Sequence, residues 1–341
     1  MMIVREFQPT DSAQWNDFVR SQPTAVVPQL YEWTLAIGRV YNLETLHLAA
    51  FVDNHIVAIL PLALIRAPLR DPFAVSLPYS GYAGMLVDPK IDSNQVFAAF
   101  LDSSAEHGIL SLEVRQLGDS QTVQSSSVTL KLHMPDSSEV LWNQLDAKVR
   151  NLVRKAERSG LQARWGPDQM EDFYRVHARN MAHLGTPMHS KRLFIEISKE
   201  LPDVIDVLTV RKDAEVIAAM LVTKLGNKLA GPWASSLSQY TSLSPNMLLY
   251  WEVLKYGCQN GFSEFDFGRS QVNSGTYNFK KQWGATPVPI ENLRVRVDRS
   301  RQPSSVDFYQ SKSARALSRL WRLLPFPISL WAGPRLRKYM P

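Results

Sequence analysis

Val207-Leu-Thr-Val-Arg211, the polar turn Lys212 to Glu215, Val216-Ile-Ala-Ala-Met-Leu-Val-Thr-Lys224 and, after Gly226-Asn227, Leu229-Ala-Gly-Pro-Trp233 decide the fold. Short runs of branched and apolar residues bounded by turn residues predict three strands joined by two tight turns. The same plan occurs about 160 residues earlier, where Leu46-His-Leu-Ala-Ala-Phe51, the turn Asp53-Asn54 and the buried run Ile56 to Ile65 predict a second hairpin. Helical sequence precedes and follows each hairpin. The expected fold class is therefore α/β (α+β), two tandem units that each hold a central mixed sheet flanked by helices.

A chain of 341 residues exceeds the usual size of one core, which agrees with two domains. The turn-rich stretch Met134-Pro-Asp-Ser-Ser138 separates them. The expected domains are 1–135, 136–300 with the active site, and a basic tail, 301–341. After the turn, Leu141, Leu145, Val149, Leu152, Val153 and Ala156 recur at helical spacing until Gly160. Arg150, Arg154 and Arg158 form a basic row on the opposite side, read either as a solvated face or as a contact for substrate phosphate.

A single cysteine, Cys258, excludes an internal disulfide and a cysteine metal cluster. The N-terminus lacks signal-peptide order, and Ile56 to Ile65 is too short to span a bilayer, so a cytoplasmic protein is expected. His177, His183 and His189 are six apart, on different helix faces, and no metal is expected. With no G-x-S-x-G elbow, Walker loop or dinucleotide fingerprint, hydrolase, ATPase and dehydrogenase readings lack support. The net charge of +6 favours an anionic partner. The tail, without an acidic residue from 311 onward, interleaves Lys312, Arg315, Arg319 and Arg322 with Leu317, Leu320, Trp321 and Leu324. Such a segment either contacts the inner membrane face peripherally or docks on its own protein.

The densest set of unusual residues follows Gly261. Glu264-Phe-Asp-Phe267 predicts a strand that Gly268-Arg269-Ser270 ends sharply, and Tyr277 to Trp283 predicts a short helix with Phe279 and Trp283 on one face. Lys280 beside that face is placed to stabilise negative charge on a reacting carbonyl oxygen, or is an ordinary surface lysine. Asp266 and Arg269 form either a structural ion pair or a substrate contact, and a loop arginine beside a glycine can reach phosphate or carboxylate.

Together, Lys148-Val-Arg-Asn-Leu-Val-Arg-Lys-Ala-Glu-Arg-Ser-Gly160, Asn180-Met-Ala-His-Leu-Gly-Thr-Pro187, Pro232-Trp-Ala-Ser-Ser236, Pro245-Asn246, Asp266-Phe-Gly-Arg-Ser270 and Gly275 through Gly284 form an ordered set over roughly residues 140 to 290. The set resembles the Fem-type family of aminoacyl- and acyltransferases, built from two acetyltransferase-like (GNAT) domains. Within it, the set comes nearest to the FemAB-related subgroup of exosortase (PEP-CTERM) and exopolysaccharide systems. The resemblance implies tandem GNAT-like domains and transfer of an acyl or aminoacyl group to an amine of a cell-envelope, peptidoglycan or exopolysaccharide precursor. It implies Lys280, in the pair Phe279-Lys280, as the catalytic residue and makes Arg269 a candidate for substrate phosphate or carboxylate; Phe279, Trp283, Tyr277, Asp266, Arg150 and Arg154 are the further residues expected toward substrate.

No permanently bound cofactor is expected; the donor is acyl-CoA or aminoacyl-tRNA. The chain lacks both the long heptad arm that some Fem ligases use for tRNA and the Arg/Gln-x-x-Gly-x-Gly/Ala turn that holds coenzyme A pyrophosphate. A second reading is a non-catalytic binding protein for an anionic polysaccharide or lipid-linked precursor, gripped by Arg150, Arg154, Arg158 and the tail.

Overall fold

The computed structural model of the chain describes residues 2–8, 10, 12–66, 71–118, 125–297 and 312–340, the side chains of 312–316 excepted. The tail side chains of Lys312 and Arg315 and the boundary at 300/301 therefore lie outside the described residues. The chain divides into two compact units, one from 1–123, 290–307 and 337–341, the other from 124–289 and 308–336.

The first unit contains β1 (Ile3–Glu6), α1 (Ser12–Ser21), α2 (Tyr31–Tyr41), β2 (Thr45–Val52), β3 (His55–Ile65), β4 (Phe73–Ser76), β5 (Leu86–Val87), α3 (Ser93–Glu106) and β6 (Ser111–Leu117). The β2–β3 hairpin turns at Asp53 and Asn54, whose φ of 47° and 66° are the left-handed pair that a two-residue turn needs. Ile56 to Ile65 is apolar throughout because both sheet faces are covered, by α1 and α2 on one side and α3 on the other. Strand β4 then runs parallel to β6 for two residue pairs, Ala74 with Leu112 and Val75 with Glu113.

The second unit holds β7 (Ser127–His133), α4 (Ser138–Gln144), α5 (Ala147–Arg158), β8 (Leu161–Trp165), α6 (Met170–Leu184), α7 (Lys191–Glu200), β9 (Ile205–Lys212), β10 (Glu215–Leu225), β11 (Lys228–Ser236), α8 (Pro245–Gln259), β12 (Glu264–Gln271) and α9 (Gly275–Lys281). Strand β13 (Thr286–Arg296) pairs with β7 over its first four residues, in this unit, and with β6 of the first unit from Ile290 onward. The sheet of the second unit runs β13, β7, β12, β11, β10, β9, β8, antiparallel except between β11 and β12. Helices α5 and α8 pack over one core, in which Val153, Leu254, Phe265 and Phe267 are buried, while α6 and α7 pack on β9 to β11. The hairpins expected at 207–224 and 46–65 are β9–β10 and β2–β3.

Three local expectations are corrected. The single helix read after the turn, through Leu141 and Ala156 to Gly160, is two helices, because Leu145 is extended (ψ 144°) and Asp146 caps a new helix, its Oδ1 accepting the Lys148 N–H at 2.7 Å. Strand β12 does not stop at Gly268 but passes through a bulge to Gln271. His189 lies beyond the end of α6 at Gly185, so it does not share a helix with His177. The tail forms α10 (Lys312–Arg322) and α11 (Phe326–Arg337), with Pro334 inside the second. Among the described residues, no helix is long and apolar enough to cross a membrane.

Candidate active site

Strands β11 and β12 pair only through Lys228–Glu264, Leu229–Phe265 and Ala230–Asp266 and then part. Two residues explain the separation. Pro232 has no N–H to donate to a neighbouring strand, and Gly268, at φ 78°, bends β12 at its bulge. They remain near each other: a Cβ placed on Gly268 would lie 3.7 Å from Gly231 O and 3.9 Å from Pro232 Cα. The backbone at the fork is thus bent and its ladder interrupted.

Lys280 completes the bulge. Helix α9 begins where Ser274 Oγ accepts the Tyr277 N–H at 3.1 Å, and this start aims Lys280 back at β12. Its Nζ donates to Gly268 O at 2.8 Å and to Arg269 O at 3.0 Å. The residue is 8% exposed. Burial pushes its ammonium down to about 8, and the Asp266 carboxylate opposes that shift. An ammonium has three donors, so two held by carbonyls leave one. Asp266 is buried as well: its Oδ1 accepts the Gly268 N–H at 2.7 Å and the Thr129 hydroxyl from β7. The carboxylate and ammonium together hold the bulge open against an uneven ladder.

Arg269 projects from the same bulge and donates from Nη2 to Ser127 Oγ at 3.0 Å, an oxygen that also accepts Gln271 Nε2 at 3.0 Å. Phe279 and Trp283 do form one wall, 6.4 Å apart, and both meet Tyr250 of α8, at 5.2 and 6.2 Å. Tyr250 in turn stacks on Phe267 at 5.3 Å. Tyr277 is buried next to Lys281, whose Nζ lies 6.0 Å from the ring centre. The structure thus gathers Asp266, Arg269, Tyr277, Phe279 and Lys280 onto β12 and α9, with Trp283 in the turn that follows α9.

The basic row sits elsewhere, on α5, which packs against α8 and β8, whereas α9 packs against β12 and β7. Arg154 and Arg158 are exposed, with the Arg154 guanidinium 5.3 Å above the Trp142 ring. Arg150 is half-buried, and its buried Nε has no hydrogen-bond partner among the described residues. Sequence reasoning passed over Ser127 and Thr129, although the alternation in Ser127-Val-Thr-Leu-Lys-Leu-His133 is a strand signal. It also passed over Tyr250, which has no signal of its own in a helix apolar on most sides.

Residues 144–281 match the model of the acetyltransferase (GNAT) domain, a stretch that ends just beyond Lys280. No curated protein matches the chain. Among solved structures, FemX is similar with a TM-score of 0.64 at 14% identity, over 84% of this chain and 96% of that one. L-PGS from Bacillus licheniformis is similar with a TM-score of 0.55 at 10% identity, over 94% and 98%. A tandem GNAT protein from the clavulanic acid biosynthesis pathway follows with a TM-score of 0.51 at 9% identity, over 87% and 99%. At such identities the likeness is one of fold, and the fold of this chain is that of tandem GNAT units, each built on a mixed sheet flanked by helices.

Proposed function

We propose that the protein is an N-acyl- or aminoacyltransferase whose reaction occurs at the fork of β11 and β12, with an amine of a cell-envelope or exopolysaccharide precursor as acceptor. The match of residues 144–281 to a GNAT acetyltransferase domain supports acyl transfer. The fold shared with FemX and with L-PGS is in keeping with the aminoacyl alternative, and the envelope acceptor rests on the resemblance of residues 140 to 290 to the Fem-type family. The observation that carries the reading is the buried Lys280 ammonium, held at the mouth of the fork by two main-chain carbonyls.

In the reaction a neutral amine attacks the donor's acyl carbon. A C–N bond forms and the carbonyl electron pair moves to oxygen. The remaining Lys280 donor stabilises that oxyanion in a site from which water is largely excluded, where such a contact is strongest. Collapse breaks the bond from the acyl carbon to the donor's sulfur or oxygen; the departing group takes up a proton and the amine releases one. Phe279, Trp283 and Tyr250 supply the apolar wall, and Arg269 is the candidate for a phosphate or carboxylate on substrate. Asp266 acts as a positioning residue through Gly268.

The donor is acyl-CoA or aminoacyl-tRNA. The segment that opens α8, Leu237 to Ser244, contains no glycine and so forms no glycine cradle for a pyrophosphate. The decisive experiment is Lys280→Met assayed for amide formation with both donor classes. Turnover should fall about 10²- to 10³-fold, as for loss of one oxyanion donor. Full activity in a folded Lys280→Met protein would sink the assignment.

A further inference from the structure

The tail is apolar on two sides. Its inward side is occupied: Trp321, Ser329 and Gly333 are buried. Arg322 Nη2 donates to Leu184 O at 3.3 Å, and a Cβ on Gly333 would lie 3.1 Å from the Met188 backbone nitrogen. Helices α10 and α11 thus dock on the connection between α6 and α7, within the second unit. Among the described residues the outward side has no such cover. Leu320 is 63% exposed, Leu323 79% and Trp331 63%, and Leu317 and Ile328 are exposed with them. Soluble proteins rarely leave so many large apolar side chains in water together.

The charges beside these residues say what covers them. Arg319 and Arg335 are exposed, and the Arg335 guanidinium lies 4.3 Å above the Trp331 ring, giving one side chain pair an apolar body and a cationic rim. No Asp or Glu occurs from 311 to the end. A second copy of the same face would bring cation against cation, which disfavours self-association. An anionic bilayer supplies both an apolar layer for leucine and tryptophan and phosphate for arginine.

We propose that the outward face of α10 and α11, centred on Leu320, Leu323 and Trp331, is a docking surface for an anionic phospholipid bilayer. The helices lie in the interface plane, with Arg319 and Arg335 at headgroup depth. The proposal is independent of the transfer reaction, since its readout is lipid binding.

The test is co-sedimentation of the full-length protein with vesicles of phosphatidylcholine plus phosphatidylglycerol and with vesicles of phosphatidylcholine alone. Partitioning onto the anionic vesicles should exceed that onto neutral ones by at least about tenfold and weaken with salt. Leu320→Asp with Trp331→Asp should remove binding, and Arg319→Glu with Arg335→Glu should lower it by at least about tenfold on anionic vesicles. All four positions are exposed, so thermal melts should stay at the wild-type midpoint. Equal partitioning onto both vesicle types, binding unchanged in the Asp double variant, or a wild-type dimer that Trp331→Asp splits in light scattering would each overturn the proposal.

Discussion

In the first unit β4 and β6 run parallel for two residue pairs and the gap beyond them is filled by the chain itself. In the second, β11 and β12 run parallel for three pairs and no strand pairing bridges them afterwards. The filling is specific. The Arg115 N–H of β6 donates to Ser76 Oγ at 2.9 Å, the Ala83 N–H donates to Arg115 O at 3.1 Å, and Gly84 passes so close that a Cβ there would meet Arg115 O at 2.8 Å. Beneath it the Glu113 carboxylate is gripped by Arg115 at 2.6 Å and Arg294 at 2.6 Å. Burial alone would raise that carboxyl, yet the two guanidiniums hold it below the ordinary range. The same strand, helix, strand plan thus yields a sealed, ion-paired seam in one unit. In the other it yields a proline, a glycine bulge and a lysine. There the buried lysine donates to two main-chain carbonyls of the bulge.

The largest expected effect is on the sealed side. Glu113→Gln leaves two guanidiniums with half their partner and should cost about 3–5 kcal/mol, read as a drop in the chemical-denaturation midpoint. Its sign in pH follows from the depressed carboxyl: the stabilisation is present above the unfolded-state pKa and is lost as pH falls through the lower folded value, so wild type and variant should converge in acid. Next comes the lysine of the second unit. Because Lys280 titrates near 8, turnover that depends on its charge should decline as pH rises through about 8, and a profile still climbing there would assign the lysine another role.

Smaller effects separate the two glycines. Gly84→Ala forces a methyl against Arg115 O and Gln116 and should destabilise by about 1–3 kcal/mol in thermal melts. Gly275→Ala, in the first turn of α9 with nothing within 4 Å, should change stability by under about 1 kcal/mol and leave turnover near wild type. A large loss there would mean that substrate passes over the start of α9.

Much of this was legible in the chain. Periodicity located β2, β3, β9, β10 and β11, because side-chain alternation and turn chemistry are local properties. The pairing of Phe279 with Trp283 followed from helical spacing alone. Gly268 was read as a strand end, since a glycine in an apolar run signals a break but not whether pairing resumes after it. The partners of Asp266 were out of reach: Thr129 lies 137 positions away, and only the antiparallel pairing of β7 with β12 brings it there.

By itself, then, the sequence determined the two hairpins, the pairing of Phe279 with Trp283 and the basic, acid-free tail, since each depends on residues within a few turns of one another. Tertiary structure alone decided that the chain bonds to β6 beyond its pairing with β4 whereas the pairing of β11 with β12 does not resume, that Lys280 is buried against two carbonyls, and which side of the tail is left uncovered. Burial and hydrogen-bond partners are set by strands and helices distant in the chain, and no local pattern records what will pack against it.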